Sequence, residues 1–119
     1  MREIKFRAWD KEEQEMLDWD KFFNLDIAQV FESKGSWGVY PMQYTGLKDK
    51  NGVEIYEGDI VETVYNGEVF AGVVVYDLSE VDFKVTDGKE KYGRNFQYLT
   101  GNDENEVLGN IYENPEFAK

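Results

Sequence analysis

The side chains that could do chemistry in this sequence are almost all carboxylates. The 119 residues include 25 aspartates and glutamates and 13 lysines and arginines, with neither histidine nor cysteine, so the formal net charge is −12. Without imidazole or thiolate groups, serine and cysteine hydrolase triads and metal sites built on those ligands are excluded. What stays open is acid–base chemistry between paired carboxylates, or binding of a hard cation such as Mg²⁺ or Ca²⁺ to oxygen ligands.

Three acidic stretches could supply such chemistry, and each is better explained without it. Residues 49–52 look like the start of a calcium loop, but the EF-hand pattern needs an oxygen ligand fifth and glycine sixth, whereas here Val53 is fifth and Gly52 fourth, so we predict a plain turn. Residues 102–106 contain no apolar residue that would bury a carboxylate, which favours a solvated loop, with a cation or basic-partner site as the alternative. The acidic cluster over 12–20 lacks the spaced carboxylates and lysine of a Mg²⁺ nuclease.

These absences predict a protein that is not an enzyme. The glycines form no phosphate-binding pattern, neither GxGxxG nor GxxxxGK[ST]. We therefore predict no catalytic, metal-binding or cofactor-binding residue, and no cofactor.

The distribution of charge points to protein partners instead. Two segments, 60–83 and 95–118, each carry five acids and no base, while residues 2–11 are locally basic. A net charge of −12 opposes binding to a phosphate backbone, so no nucleic acid is expected. Single-strand binding by the basic and aromatic stretch 5–11 is a weaker alternative. The candidate partner surface consists of Glu62, Glu68, Asp77, Asp103, Glu104 and Glu106.

The elements that would position these residues are mostly strands. Residues 3–9 alternate with period two, residues 16–17 return as a hairpin, and Asn66-Gly67 is a hairpin turn between strands 60–65 and 69–76. Further strands are predicted over 42–47, 53–56, 83–86, 95–99 and 107–112. Apolar residues at helical spacing predict one helix over 20–34, with Asp20 as N-cap and Gly35 at its end.

Together the elements predict a single mainly β domain over residues 1–119. We expect a small antiparallel SH3-like barrel or sandwich with an N-terminal hairpin and one short helix. The strand over 69–76 is apolar on both faces, with Val69, Val73 and Val75 on one and Phe70, Val74 and Tyr76 on the other. A strand of this kind needs a covering layer on each side, from this chain or from another subunit.

The motifs IKFRAWD (4–10), QYTGLKDKNG (43–52), IYEGDIV (55–61) and GNIYENPE (109–116) resemble the YopX family of phage and prophage proteins. They follow the order of that family from the first residues to the last. The resemblance implies a small, mostly β protein of a bacteriophage or prophage, and no catalytic residue comes with it. Its motif positions fit turns and core: Trp9, Gly46, Asn51, Gly52, Tyr56, Gly58, Asp59, Gly109, Asn110 and Pro115.

The function expected from the sequence is therefore binding or assembly without catalysis, as a homo-oligomer. The alternative is an acidic decoy that occupies the basic, nucleic-acid-binding surface of a host protein. No stretch approaches the roughly 18 apolar residues of a membrane span, and residues 1–5 lack a signal-peptide run. We expect the cytoplasm of a bacterial host as its location and no membrane contact.

Overall fold

The computed structural model describes residues 4–23, 38–65, 67–77, 82–86, 96–99 and 104–118. Most of them lie in strands of two antiparallel sheets, so the mainly β prediction is confirmed. The strands are β1 (Phe6–Asp10), β2 (Glu15–Leu17), β3 (Val39–Lys48), β4 (Glu54–Tyr56), β5 (Asp59–Tyr65), β6 (Glu68–Asp77), β7 (Asp82–Thr86), β8 (Phe96–Tyr98) and β9 (Glu106–Asn110), with helix α1 (Trp19–Phe23) and a 3₁₀ turn (Pro115–Ala118).

The strands form one four-stranded sheet in the order β2-β1-β3-β4 and one five-stranded sheet in the order β8-β7-β6-β5-β9. One of the two sheets resembles half of a barrel. Contacts along the chain separate two compact units, Met1–Tyr44 and Thr45–Lys119. The prediction of a single domain over 1–119 stays a prediction.

The first unit is organised by the alternation of β1. Phe6 and Ala8 face a small core, where Ala8 is fully buried together with Leu17, Phe22 and Val39. The rings of Phe6 and Phe22 stack with centroids 6.2 Å apart. Burial of these apolar side chains is the main stabilising term for so short a hairpin. The opposite face of β1 carries the buried Trp9.

The helix begins earlier than the sequence indicated. We predicted Asp20 as N-cap, but α1 begins at Trp19 and Asp18 holds the cap position. The Asp18 Oδ1 atom accepts the backbone N–H of Lys21 at 3.0 Å, and the Asp18 carbonyl accepts the N–H of Phe22 at 2.8 Å. Asp18 is favoured because the helix must turn Trp19 and Phe22 toward Phe6. The rest of the predicted helix, including Gly35, lies outside the described residues.

The second unit is built on the β5–β6 hairpin. Tyr65 pairs with Glu68, so β5 and β6 form the hairpin that the sequence predicted, while Asn66 lies outside the described residues. Gly67 has φ +79°, the left-handed conformation that such a turn requires and that glycine adopts without strain. On its other side β5 pairs with β9, with a shift of register between Ile60 and Val61.

The core of the second unit lies on one face of its sheet. Its fully buried residues are Ile55, Val61, Val74, Phe83, Val85 and Leu99. Phe70 and Tyr76 of β6 pack against this cluster beside Val74, so that face of β6 is covered as expected. The other face is covered only in part, because Val73 and Val75 are half-buried and Val69 is 65% exposed.

Among the described residues no helix has the length and apolar character needed to cross a membrane. The predicted cytoplasmic location stays a prediction.

Candidate functional site

A buried carboxylate, Asp49, joins the loop after β3 to the start of β9. Its Oδ1 atom accepts the backbone N–H groups of Asn51 at 2.8 Å and Val53 at 2.9 Å, and its Oδ2 atom accepts the N–H of Val107 at 2.9 Å. The Asp49 side chain is only 7% exposed. One carboxylate therefore fixes a tight turn and, at the same time, ties that turn to a strand 58 residues further along the chain.

The acidity of Asp49 follows from these contacts. Burial raises the pKa of the Asp49 carboxyl, but the hydrogen bonds from Val107, Val53 and Asn51, together with the nearby positive charge of Lys50, outweigh burial. The pKa of Asp49 consequently lies below its ordinary value of 3.8. Asp49 is thus an ionised acceptor at neutral pH, with its lone pairs directed at backbone donors.

The edge of β9 that has no neighbouring strand is already hydrogen-bonded to other groups of the same unit. The Asp49 carboxylate takes the N–H of Val107, and the Asn105 carbonyl just before the strand accepts the N–H of Lys50 at 2.9 Å. At the other end, the N–H of Asn110 donates to the Asn114 side-chain oxygen at 3.2 Å. A strand at the edge of a sheet normally offers such donors to a further strand. Here they already have acceptors.

The Asn110 side chain closes the turn that follows β9. Its Oδ1 atom accepts the N–H groups of Tyr112 at 3.0 Å and Glu113 at 2.9 Å, and its Nδ2 atom donates to the Glu113 carboxylate at 2.7 Å. This is the local side-chain bonding by which asparagine favours turns. Gly109 must be small here, since a Cβ on it would lie 2.3 Å from Asn114 Oδ1.

The IYEGDIV motif forms the turn between β4 and β5. Asp59 is 1% exposed, and its Oδ2 atom accepts the backbone N–H of Tyr56 at 2.8 Å. Gly58 has φ +84° and ties this turn to β6 and to the turn after β9, because its N–H donates to the Val74 carbonyl while its carbonyl accepts the N–H of Ile111. The carboxylate of Asp59 thus stabilises the turn in the same way as that of Asp49.

The remaining motif residues also lie at turns, bends and core positions. Gly46 lies inside β3 with φ +87°, and Gly52 ends the Asp49 turn with φ +83°. Trp9 is 6% exposed in the first unit, and Pro115 begins the 3₁₀ turn. Among the described residues no group of three or more acidic side chains could hold a metal ion.

The structure brings together only part of the predicted partner surface. Glu62 of β5 lies directly opposite Glu106 of β9, and Lys50 forms an ion pair with Glu106 at 3.5 Å. Glu68 is exposed at the hairpin tip, and Glu104 is exposed just before β9. Asp77 is the last residue of β6, opposite Asp82, while Asp103 lies outside the described residues.

The basic stretch near the N-terminus is engaged within its own unit. The Lys5 ammonium lies 5.0 Å from the centre of the Tyr44 ring, within range of a cation–π contact. The Arg7 Nη2 atom lies 3.7 Å from the sulfur of Met42. These cations therefore face side chains of the same sheet, unlike the open positive groove that single-strand binding requires.

Comparison with known proteins agrees with these motifs. The sequence pattern of the YopX protein family matches residues 5–119. The chain belongs to the YopX family. A solved structure, the crystal structure of protein EF1440 from Enterococcus faecalis, is 26% identical, with all of each chain covered and a TM-score of 0.58. No curated protein matches this YopX family member.

Sequence reasoning missed the long-range role of Asp49 in this YopX chain. We read residues 49–52 as a plain turn, which describes the bonds to Asn51 and Val53 but not the bond to Val107. Asp two positions before an Asn-Gly pair is a signal for the local turn. Nothing in the sequence signals the acceptor of an N–H group 58 residues away.

Proposed function

We propose that this YopX protein is a non-enzymatic binding or assembly protein that forms homo-oligomers. One observation carries the proposal. Val53 and Leu108 are each 48% exposed, and they lie on the two segments that the Asp49 carboxylate joins through the N–H groups of Val53 and Val107. Apolar side chains held in this way on two neighbouring segments suit a contact surface.

The charges beside these two residues favour a second copy of the chain as the partner. Lys50 and Glu106 form an ion pair there and stay partly exposed, with 44% and 36% of their side chains accessible. A two-fold axis through such a patch would place Lys50 of each copy near Glu106 of the other, since an isologous interface is self-complementary. Val53 and Leu108 of one copy would then contact the same two residues of the other copy.

The occupied edge of β9 limits how copies could meet at this surface. Because Asp49 and Asn114 accept the N–H groups of Val107 and Asn110, a second copy gains little by adding a strand there. We expect a contact made by side chains instead. Residues that hold turns, such as Asp49 and Asp59, support a structural role better than a reactive one. The proposal includes a phage or prophage origin and the cytoplasm of a bacterial host.

Solution mass tests the proposal. Sedimentation equilibrium between about 5 and 200 µM should give a mass that rises above the 13.9 kDa of one chain toward a multiple of it. Leu108→Ser should weaken the association at least about tenfold, because it removes a half-exposed apolar side chain from both copies. Val69→Ser, at an exposed valine of the hairpin tip, is the matched control and should leave the mass unchanged. A monomer over the whole range would refute self-association.

The acidic decoy is the second candidate, and the position of Glu62 favours it. Glu62 and Glu106 lie opposite each other on neighbouring strands, and Lys50 forms an ion pair with Glu106 but not with Glu62. A basic partner could relieve that repulsion. The test is competition: the protein should displace labelled DNA from a basic DNA-binding protein of the host, and Glu62→Gln should displace it less. DNA that stays bound at a hundredfold excess would refute this role.

A further inference from the structure

The outer end of the β5–β6 hairpin presents apolar side chains on its sheet face. Val64 of β5 pairs directly with Val69 of β6, and Glu62 pairs with Ala71. Directly paired residues point to the same face, as do residues two apart in a strand, so these four share one face. Val69 is 65% exposed and Ala71 is partly exposed. We call Glu62, Val64, Val69, Ala71 and the neighbouring Glu106 the hairpin face.

The negative charge at the acidic border of the hairpin face, Glu62 and Glu106, is only partly neutralised. Glu106 lies opposite Glu62 on β9, and like charges at directly opposed positions destabilise a sheet. Lys50 is within 3.5 Å of Glu106, while no cation in the described part of the chain lies within ion-pair distance of Glu62. A positive charge placed between the two carboxylates would therefore find an unneutralised partner in Glu62.

We propose that the hairpin face docks a segment of another protein in which cationic and apolar side chains alternate. In an extended segment, side chains two apart share a face, so an apolar residue can cover Val64 and Val69 while an arginine or lysine on the same side reaches Glu62. This inference rests on the premise of the acidic decoy, which is that the partner is a basic protein. It does not require that partner to bind nucleic acid.

A second copy of this chain is a poor occupant for the hairpin face. Two copies meeting at the hairpin face would bring two acidic borders, each with Glu62 and Glu106, into one interface. The Lys5 and Arg7 side chains, which could offer positive charge from a second copy, already lie against Tyr44 and Met42. The charge thus favours a different, basic protein.

Three synthetic peptides test the proposal by titration with the whole protein at low salt. One alternates arginine and leucine, one alternates arginine and serine, and one alternates glutamate and leucine. The arginine–leucine peptide should bind at least about tenfold more tightly than the arginine–serine peptide, because only the first covers the valines. The glutamate–leucine peptide should not bind. Added salt should weaken binding, since the charged contact is partly exposed.

Two variants and a control locate the binding. Glu62→Gln and Val69→Ser should each weaken the arginine–leucine peptide about threefold to tenfold, the effect of one exposed ion pair or one partly buried methyl pair. Glu12→Gln removes the same charge from an exposed turn of the first unit and should change nothing. Thermal melts confirm folding of each variant, and Glu62→Gln should melt no lower than the wild type because it removes a like-charge contact.

Four other results would each overturn the inference. Equal weakening by Glu12→Gln would show attraction to net charge alone, and equal binding of the arginine–serine peptide would show that the valines take no part. A lower oligomer mass for Val69→Ser would make a second copy the occupant. Stabilisation by Mg²⁺ or Ca²⁺ that Glu62→Gln abolishes would make the face a cation site. Failure of DNA competition while the peptide still binds removes only the decoy role.

Discussion

Removing the Asp49 carboxylate should destabilise the protein far more than removing a similar carboxylate with only local bonds. Three backbone N–H groups donate to Asp49 at 2.8–2.9 Å. Hydrogen bonds to a charged group contribute about 1.5–3 kcal/mol each, but water can replace the acceptor at exposed donors. Asn51 and Val53 lie in an exposed turn, whereas Val107 lies in a partly buried strand. We therefore expect Asp49→Ala to cost about 3 kcal/mol.

Two further variants, Asp49→Asn and Asp10→Ala, separate the contribution of the Asp49 charge from that of its bond to Val107. Asp49→Asn keeps one acceptor oxygen but turns an N–H₂ group toward a backbone donor, so we expect a loss of about 2 kcal/mol. Asp10 also accepts two N–H groups, from Glu12 and Glu13, within three residues of itself. Asp10→Ala should cost only about 1 kcal/mol, the usual effect of a local cap.

Urea unfolding measures these losses. For a chain of this size, each 1 kcal/mol lowers the melting temperature by roughly 3–6 °C, so Asp49→Ala should melt about 10–15 °C below the wild type. Equal losses for Asp49→Ala and Asp10→Ala would refute the reasoning, because they would mean that the bond to Val107 adds nothing.

The pH dependence gives an independent check of the same carboxylate. The pKa of Asp49 is lowered in the folded state below its ordinary 3.8, so the unfolded chain binds the proton more readily. The stabilisation by Asp49 is therefore complete above about pH 5 and is lost as the pH falls below 4. The difference in unfolding free energy between wild type and Asp49→Asn should stay constant from pH 5 to 7 and shrink toward pH 3. A difference that grew on acidification would contradict the assigned direction.

Three further substitutions test the packing of the second unit, all by urea unfolding. Gly72→Ala should cost about 3 kcal/mol or more, because its Cβ would lie 2.3 Å from the backbone carbonyl oxygen of Thr86, which cannot move aside. The Cβ of Gly109→Ala would lie at the same distance from Asn114 Oδ1, but the Asn114 side chain can turn away, so we expect a loss of about 1–2 kcal/mol. A larger loss than for Gly72→Ala would contradict this ranking. Thr63→Val should stabilise by about 1 kcal/mol, since the Thr63 hydroxyl is fully buried and has no hydrogen-bond partner in the part of the chain that the structure describes; a loss of stability would show that the hydroxyl is satisfied.

The hairpins were the most predictable part of this fold. Asn66-Gly67 between two apolar runs predicted a hairpin, and the pairing of Tyr65 with Glu68 agrees with it, because turn chemistry and strand alternation act over a few residues. The start of the helix was less predictable. Asp18 and Asp20 are both suitable caps, and the choice depends on Trp19 packing near Phe6, which is a contact between elements.

The candidate surfaces show the same difference between local features, which the sequence predicts, and contacts between distant segments, which it does not. Composition alone marked Glu62 and Glu106 as acids of base-free segments, but their opposition is a property of the β5–β9 register. That register joins residues more than forty positions apart and depends on a bulge between Ile60 and Val61, which no local pattern announces. Likewise, the segments that carry the exposed Val53 and Leu108 are joined by the bonds of the Asp49 carboxylate to Val53 and Val107, which neither segment signals by itself.

The acceptors along β9 also decide what a damaged copy of this protein would do. Asp49 and Asn114 both lie outside the strand that they protect, one in a loop and one in the turn after it. A cut that displaced either acceptor would leave the N–H group of Val107 or Asn110 open to another strand. Such a fragment would be a template for fibril growth, since an open strand edge recruits further strands. Loss of the last few residues should thus be seen first as aggregation rather than as unfolding.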